Sequence, residues 1–452
     1  MMRHALARIA LAAMLASAAP VCAAPDGWWR QFQDPALNAA VDSALAGNLD
    51  LAAAAARVEQ ARAMDKGARA AMLPSGGLGG SAEADSISRN TPFGAASRAL
   101  GFPRGYDLYQ AGAEARWELD LFGGLSARRR VAAAQAGASR ADADAVQLSV
   151  IVETVDACLR LRGLQARLAI AQAQLRIRGH LAALVRQRAG QGLASDFDVN
   201  RAEAASAATS AAIPPLRAAI AVEIDRVGVL TGGDTAWRAL AQATAPIPAA
   251  LEPALDADPA RLMRRRPDLA AAERQVMAAH AGVAVARAEY YPHLSLGGLI
   301  GVASLGTASI VSGNAVNLQG SAALRWRLFD FGRVDAEVAA ARGHEHEALA
   351  RWRLAALGAS AEVADAIAAL AEGRREQAEL VREVALLTRA HEQAQAAYAA
   401  GTIALIDVLD AERALLETSD RLASNQASLA RASVAAVRAM GGGYGEGDAG
   451  HG

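Results

Sequence analysis

From Tyr109 to Leu121 the chain alternates strictly. Tyr109, Ala111, Ala113, Ala115, Trp117, Leu119 and Leu121 stand on one parity, and Gln110, Gly112, Glu114, Arg116, Glu118 and Asp120 on the other. A period of two held over 13 residues requires an extended strand with one apolar and one polar face. The pattern returns as Val316, Leu318, Gly320, Ala322, Leu324, Trp326 and Leu328 against Asn317, Gln319, Ser321, Ala323, Arg325 and Arg327. A weaker strand precedes each, so four strands are predicted, at about 77–87, 107–122, 293–304 and 316–330. Such a strand belongs either to a half-buried soluble sheet or to a membrane barrel, apolar outward and polar inward, where about 9–11 residues cross the bilayer. A secretory N-terminus, Trp and Tyr at strand positions and the lack of other strands favour the barrel.

The chain is written twice. Trp117 and Trp326 lie 209 residues apart, as do Gly123 and Gly332, Gly192 and Gly401, and Asp198 and Asp407. Before the strands the offset is 218, from Asp50 and Pro74 to Asp268 and Pro292, so the first inter-strand loop is nine residues longer. Asp34-Pro35 opens a helix by cap and N1 proline, broken near Gly47-Asn48 and closed at Leu73-Pro74. Its counterpart begins at Asp258-Pro259 and restarts at Arg266-Pro267. Proline-free stretches then predict two long helices, about 124–189 and 333–400, each about 100 Å at 1.5 Å per residue. Helices so long must lie against other helices. Gly192 and Gly401 suit the left-handed residue that ends a helix, and shorter helices return from about Asp196 to Leu230 and from Ile406 to Met440. The resulting plan is a signal peptide at 1–23, a first repeat at 24–230, a linker at 231–257 containing Gly232-Gly233 and Pro246, Pro248 and Pro253, a second repeat at 258–440, and a disordered tail at 441–452.

Arg3, His4 and Arg8 precede an apolar run from Ile9 to about Ala19, and Val21-Cys22-Ala23 offers small residues for cleavage, the pattern of a secretory signal. Cys22 is either removed with it or is a lipid-modified first residue; Ala19-Pro20-Val21 matches lipoprotein processing poorly. The other cysteine, Cys158, stands alone in a long helix, so no disulfide framework follows. After the signal no run of 18 apolar residues occurs, and no membrane-spanning helix is predicted. A net charge of −1 gives no sign of nucleic-acid binding. Hydrophobic residues reach 53% with only 4% aromatic, so alanine-rich helices packed closely are favoured over one bulky core. Trp28, Trp29 and Phe32 either dock on the body, the plainer reading, or rest at a membrane interface.

Four membrane strands leave two open edges, which lipid does not tolerate. The chain must therefore share its barrel with copies of itself. Two chains supply 8 strands, and three supply 12 with some lumen. The fold class expected is mainly α, with a small membrane β-barrel part.

The sequence closely resembles the TolC/OprM-type outer-membrane efflux proteins, particularly the NodT-like subgroup. The resemblance is carried by Trp28-Trp29-Arg30-Gln31-Phe32-Gln33-Asp34-Pro35, by Arg265-Arg266-Pro267-Asp268-Leu269 with Ala272-Glu273, and by Gly401-Thr402 through Val408-Leu409-Asp410-Ala411. It implies a homotrimer whose 12-stranded barrel is continued by a long periplasmic helical barrel, located in the outer membrane. It further implies a periplasmic adaptor, an inner-membrane pump of the resistance-nodulation-division class and a role as passive exit duct for drugs or other small toxic compounds. A duct for secreted polypeptides is the alternative within the fold, and a periplasmic coiled coil without a barrel is the third. By position, Asp407 and Asp410 match the carboxylates that ring the periplasmic entrance, and Ile406 an apolar gate residue. Tyr398 and Asp198 match a tyrosine and an aspartate that tie neighbouring helices, while Ile403 stands where TolC-like proteins place an arginine.

On residues alone, Asp407 and Asp410 are also good helix caps, and Tyr398 a good packing residue. In a trimer six aspartates surround one axis, where a cation bridges them. His344-Glu345-His346-Glu347 invites a metal reading, but i and i+2 point apart on a helix, so a solvated face is expected. No phosphate loop and no Ser/His/Asp or Cys/His arrangement stands out, so neither catalysis nor a cofactor is expected.

Overall fold

The computed structural model describes residues 27–242, 245–252 and 265–442. The expected signal peptide, Cys22, the Asp258-Pro259 start of the second repeat and the tail from Gly443 on lie outside them. In order come a 3-10 turn (Trp28–Phe32), α1 (Pro35–Gly47), α2 (Leu49–Ala70), β1 (Ser75–Ser86), α3 (Pro92–Ala99), β2 (Gly105–Leu119), α4 (Gly124–Gly190), α5 (Asp196–Leu230) and α6 (Ala236–Gln242). There follow α7 (Pro267–Ala288), β3 (His293–Ser304), β4 (Val316–Arg325), α8 (Arg333–Ala399) and α9 (Leu405–Ala439). The chain divides into two units, one of residues 58–138 and 272–352, the other of the rest.

The first of these holds a four-stranded antiparallel sheet in the order β1-β2-β3-β4, so the two repeats' hairpins join through β2 and β3. The register lines up the parities across all four strands. Leu78, Ala113, Ile300 and Leu318 form one apolar row, while Gly77, Glu114, Leu299 and Gln319 form the adjacent row on the other face. Leu78 is 90% exposed and Leu318 78%, so the apolar face is bare in a single chain. Gly112 and Gly301 pair across β2 and β3, and a Cβ on Gly301 would come within 2.5 Å of the Ala111 carbonyl oxygen. The two backbones approach closely there, and only glycine fits. β2 ends at Leu119 and β4 at Arg325, short of the expected 122 and 330. Arg325 already pairs with His293, the first residue of β3. Beyond it, Trp326 donates its indole N–H to the Tyr290 carbonyl at 3.1 Å, as Trp117 does to that of Met72 at 3.0 Å. The same tryptophan device thus tethers each hairpin to the end of the helix before it. The longer first loop contains α3, a short helix beyond the four strands expected here; Thr91 accepts the Gly94 N–H at 3.1 Å and Pro92 follows it.

In the helical unit, α1 and the middle of α4 enclose a core of Trp28, Trp29, Leu37, Val41, Ile151, Val155 and Leu159 with Trp237 and Val434. The Trp-rich start is docked. Asp34 caps α1 by accepting the Ala36 N–H at 2.8 Å and forms a two-pronged ion pair with Arg162 at 2.7 and 3.0 Å. Cys158 is buried beside it. Burial, with the Asp34 charge, pushes its thiol up to about 12. Within the expected linker, residues 236–242 are helical, because Trp237 is fully buried and anchors the segment in the core. The tail expectation is corrected at its start, where Gly441 and Gly442 close α9 with N–H bonds to the Arg438 and Val437 carbonyls.

α4 and α8 each have 67 residues, and α5 and α9 each have 35. α5 carries Pro214 and Pro215 in its interior, where α9 has Ala423 and Ser424. One 18-residue window of α8 is long and apolar enough to cross a membrane by length and composition alone. Alanine raises the average around Leu354–Ala371 without removing the charges Glu362 and Asp365. Glu362 is ion-paired with Arg266 at 2.8 Å, an arrangement suited to a packed helix rather than to lipid.

Candidate functional site: the helix-hairpin tips

Both hairpins turn the same way. Gly192 and Gly401 take φ of 75° and 74°, the left-handed region open to glycine. At the first tip Leu193 N–H reaches the Arg188 carbonyl at 2.9 Å, and at the second Thr402 N–H reaches that of Ala397 at 3.0 Å. These six-to-one bonds close the long helices. The returning helices then start differently. In the first repeat Ser195 and Asp198 cap reciprocally: Asp198 N–H donates to Ser195 Oγ at 3.2 Å, and Ser195 N–H and Oγ–H donate to Asp198 Oδ2 at 3.2 and 2.7 Å. In the second repeat Ala404 stands where serine would be, and only half the box remains, with Asp407 Oδ2 accepting the Ala404 N–H at 3.1 Å.

Asp407 and Asp410 are exposed and Ile406 half-buried. Asp410 has an Arg413 guanidinium 3.9 Å away, an exposed and weak pairing. Leu405 and Leu409 turn the other way, into a cluster with Ala182, Val185 and Ala202. The second hairpin thus rests on the first by its apolar side and presents its aspartates outward. Tyr398 packs on this cluster, and within one chain its hydroxyl does not reach Asp198, whose carboxylate is engaged in its own cap. The expected tie between them is therefore not an intrachain contact. Instead the Arg188 guanidinium lies 4.9 Å above the Tyr398 ring. A cation on α4 thus stacks on the aromatic of α8, in a chain whose tip has Ile403 at the arginine position.

Deeper along the hairpins lies a buried polar group that periodicity alone does not reveal. Glu412 of α9 is 1% exposed, with Arg178 of α4 beside it at 3.4 Å. Gln174 donates to Glu412, and Arg178 Nη1 donates to the Thr209 hydroxyl at 2.7 Å and the Ala205 carbonyl at 3.0 Å on α5. Burial pushes the Glu412 carboxyl up against the pull of Arg178. A signal existed: Glu412 continues the buried stripe of Leu405, Val408 and Leu409, and Arg178 lies between Leu175 and Leu181 at intervals of three. Charges on an apolar stripe are the informative exceptions.

The His344–His346 run does not converge on one point: His344 faces Glu347 at 3.5 Å, while Glu345 turns to His280 at 2.7 Å.

The family profile described as "Outer membrane efflux protein" matches residues 40–233 and 259–442, one match for each repeat. Pyoverdine export outer membrane protein OpmQ of Pseudomonas putida is 32% identical over 433 residues, covering 92% of this chain and 88% of that protein. Outer membrane protein OprJ of Pseudomonas aeruginosa is 30% identical, covering 93% and 87%. The outer-membrane channel OprN superposes with a TM-score of 0.84 at 33% identity, covering 92% of each chain. With its duplicated hairpins, its four-stranded sheet of one bare apolar face and these matches over both repeats, the chain belongs to the outer membrane efflux protein family and is an outer-membrane channel component of an efflux system.

Proposed function

We propose that three copies of the chain form a closed tube whose periplasmic entrance is gated by Ile406, Asp407 and Asp410, and that it passes small organic molecules handed over by a periplasmic adaptor and an inner-membrane pump of the resistance-nodulation-division class. The sheet ends in two unpaired edges, β1 and β4, which lipid does not tolerate. Joining three sheets gives twelve strands and removes every edge. The polar row of Gly77, Glu114, Leu299 and Gln319 then lines water, and the row of Leu78, Ala113, Ile300 and Leu318 meets acyl chains. The gate reading is carried by one observation: Asp407 and Asp410 stay exposed while the same helix turn buries Leu405, Val408 and Leu409. Six carboxylates brought round one axis attract cations and repel one another. The cargo class follows from the relative named for pyoverdine export, a small-molecule duct rather than a polypeptide one.

The test is single-channel recording in planar bilayers. The Asp407→Ala/Asp410→Ala variant is expected to lose cation preference and block by divalent cations. Unchanged selectivity and block reject the gate.

A further inference from the structure

The geometry points to Gln174, Arg178 and Glu412 as an intrachain clasp that holds the second hairpin closed on the first and positions the entrance aspartates. The inference rests on the gate reading above. Glu412 stands two residues beyond Asp410 on the same helix, so whatever fixes Glu412 fixes the direction in which Asp407 and Asp410 project. What fixes it is polar, buried and drawn from both partners of the first hairpin: Gln174 and Arg178 from α4, with Arg178 in turn bonded to Ala205 and Thr209 of α5.

The clasp is only half satisfied. Arg178 Nε and Glu412 Oε2 are buried without a hydrogen-bond partner, and the two charges approach no closer than 3.4 Å. A well-packed apolar contact would hold these helices at least as firmly, because desolvating two charges offsets their attraction. The polar choice has a different consequence. When the helices part, Arg178 and Glu412 regain water, whereas parted leucines only expose themselves to it. A buried, incompletely bonded ion pair therefore closes the entrance while keeping the cost of opening low. Around it, Leu405, Leu409, Val185 and Ala182 supply the non-polar contact that returns the hairpin to register.

Single and double substitutions of this pair are expected to act on the closed entrance with opposite sign, and the channel current of assembled trimers, not their stability, reads it. Glu412→Ala leaves Arg178 buried without its counter-charge and drives the helices apart. Arg178→Met with Glu412→Leu replaces the pair by apolar packing and holds them together. The measurement is potassium current through trimers in planar bilayers, with assembly checked by semi-native electrophoresis. Glu412→Ala is expected to raise open-channel current at least tenfold, and the double variant to fall to or below the wild-type level. If Glu412→Ala does not assemble, Glu412→Gln keeps the Gln174 bond without the charge, and its current is expected to rise several-fold. Wild-type current in an assembled single variant, or a double variant as leaky as the single one, overturns the clasp. Asp407→Ala/Asp410→Ala is recorded alongside. A changed selectivity there with silent Glu412 variants removes the clasp alone, and an unchanged one removes the gate reading beneath it.

Discussion

Replacing Arg162 with methionine tests how the N-terminal segment is held on the helical core. Arg162 and Asp34 are 4% and 5% exposed and meet through two bonds of 2.7 and 3.0 Å. Methionine fills much of the space of the arginine stem but leaves the Asp34 carboxylate buried beside only the Ala36 and Leu37 amides. Breaking a buried pair by removing one partner costs about 3–5 kcal/mol. At about 1.4 kcal/mol per decade, that shifts the docking equilibrium of the segment by about 10² to 4 × 10³-fold. The readouts are the rate of proteolytic cleavage between Gln33 and Asn48 in detergent-solubilised trimers and the emission of the buried Trp28 and Trp29, which is expected to shift to the red. Acid gives a second handle. Burial raises the Asp34 carboxyl, but the hydrogen bonds and charge of Arg162, with the Leu37 and Ala36 amides, bring it below the ordinary value. A carboxyl depressed in the folded state adds stability that is full above its unfolded value, about 4, and is lost as pH falls through its folded value. Wild-type docking should therefore weaken below about pH 4, and Arg162→Met should show a smaller acid loss. Cleavage within about tenfold of wild type at neutral pH, with the same acid profile, would show that the pair is not what holds the segment.

Two further outcomes follow from the geometry. Gly301→Ala forces a Cβ to 2.5 Å from the Ala111 carbonyl oxygen, whereas Gly298→Ala meets nothing within 4 Å; heat-modifiable mobility of the barrel should be lost in the first and kept in the second, and equal behaviour refutes the close-approach argument. Arg188→Ala removes a cation–ring contact worth about 0.5–1 kcal/mol, so spontaneous opening should rise about two- to fivefold, while Tyr398→Phe, which keeps the ring, should change little; a large effect of Tyr398→Phe would place the hydroxyl, not the ring, in the closed state.

The fold class was legible because its two periods are clean. A sheet with one apolar face writes itself as alternation, and Tyr109 to Leu121 holds that parity without error. The duplication made each half a control on the other, even where the Asp407 cap has lost its serine partner to Ala404. What escaped was local chemistry against the grain of composition. Trp237, one large residue in a Gly- and Pro-containing segment, fastens that segment as a helix, and Thr91-Pro92 starts another inside a loop. Arg178 and Glu412 escaped because periodic reading tallies apolar positions and skips a charge standing in their line. The Tyr398–Asp198 tie could not be judged from spacing, since Asp198 has a competing partner three residues away in Ser195.

The two repeats match in the length of every long helix, yet they are not mechanically equal. Pro214 and Pro215 carry no amide hydrogen, so the carbonyls of Ser210 and Ala211 miss their usual ladder donors, whereas the Ala423 and Ser424 amides remain available in α9. One rod of the pair is notched and the other whole. α5 is therefore easiest to bend at that notch, on the far side of Thr209 from the tip, whereas its counterpart α9 carries an unbroken ladder.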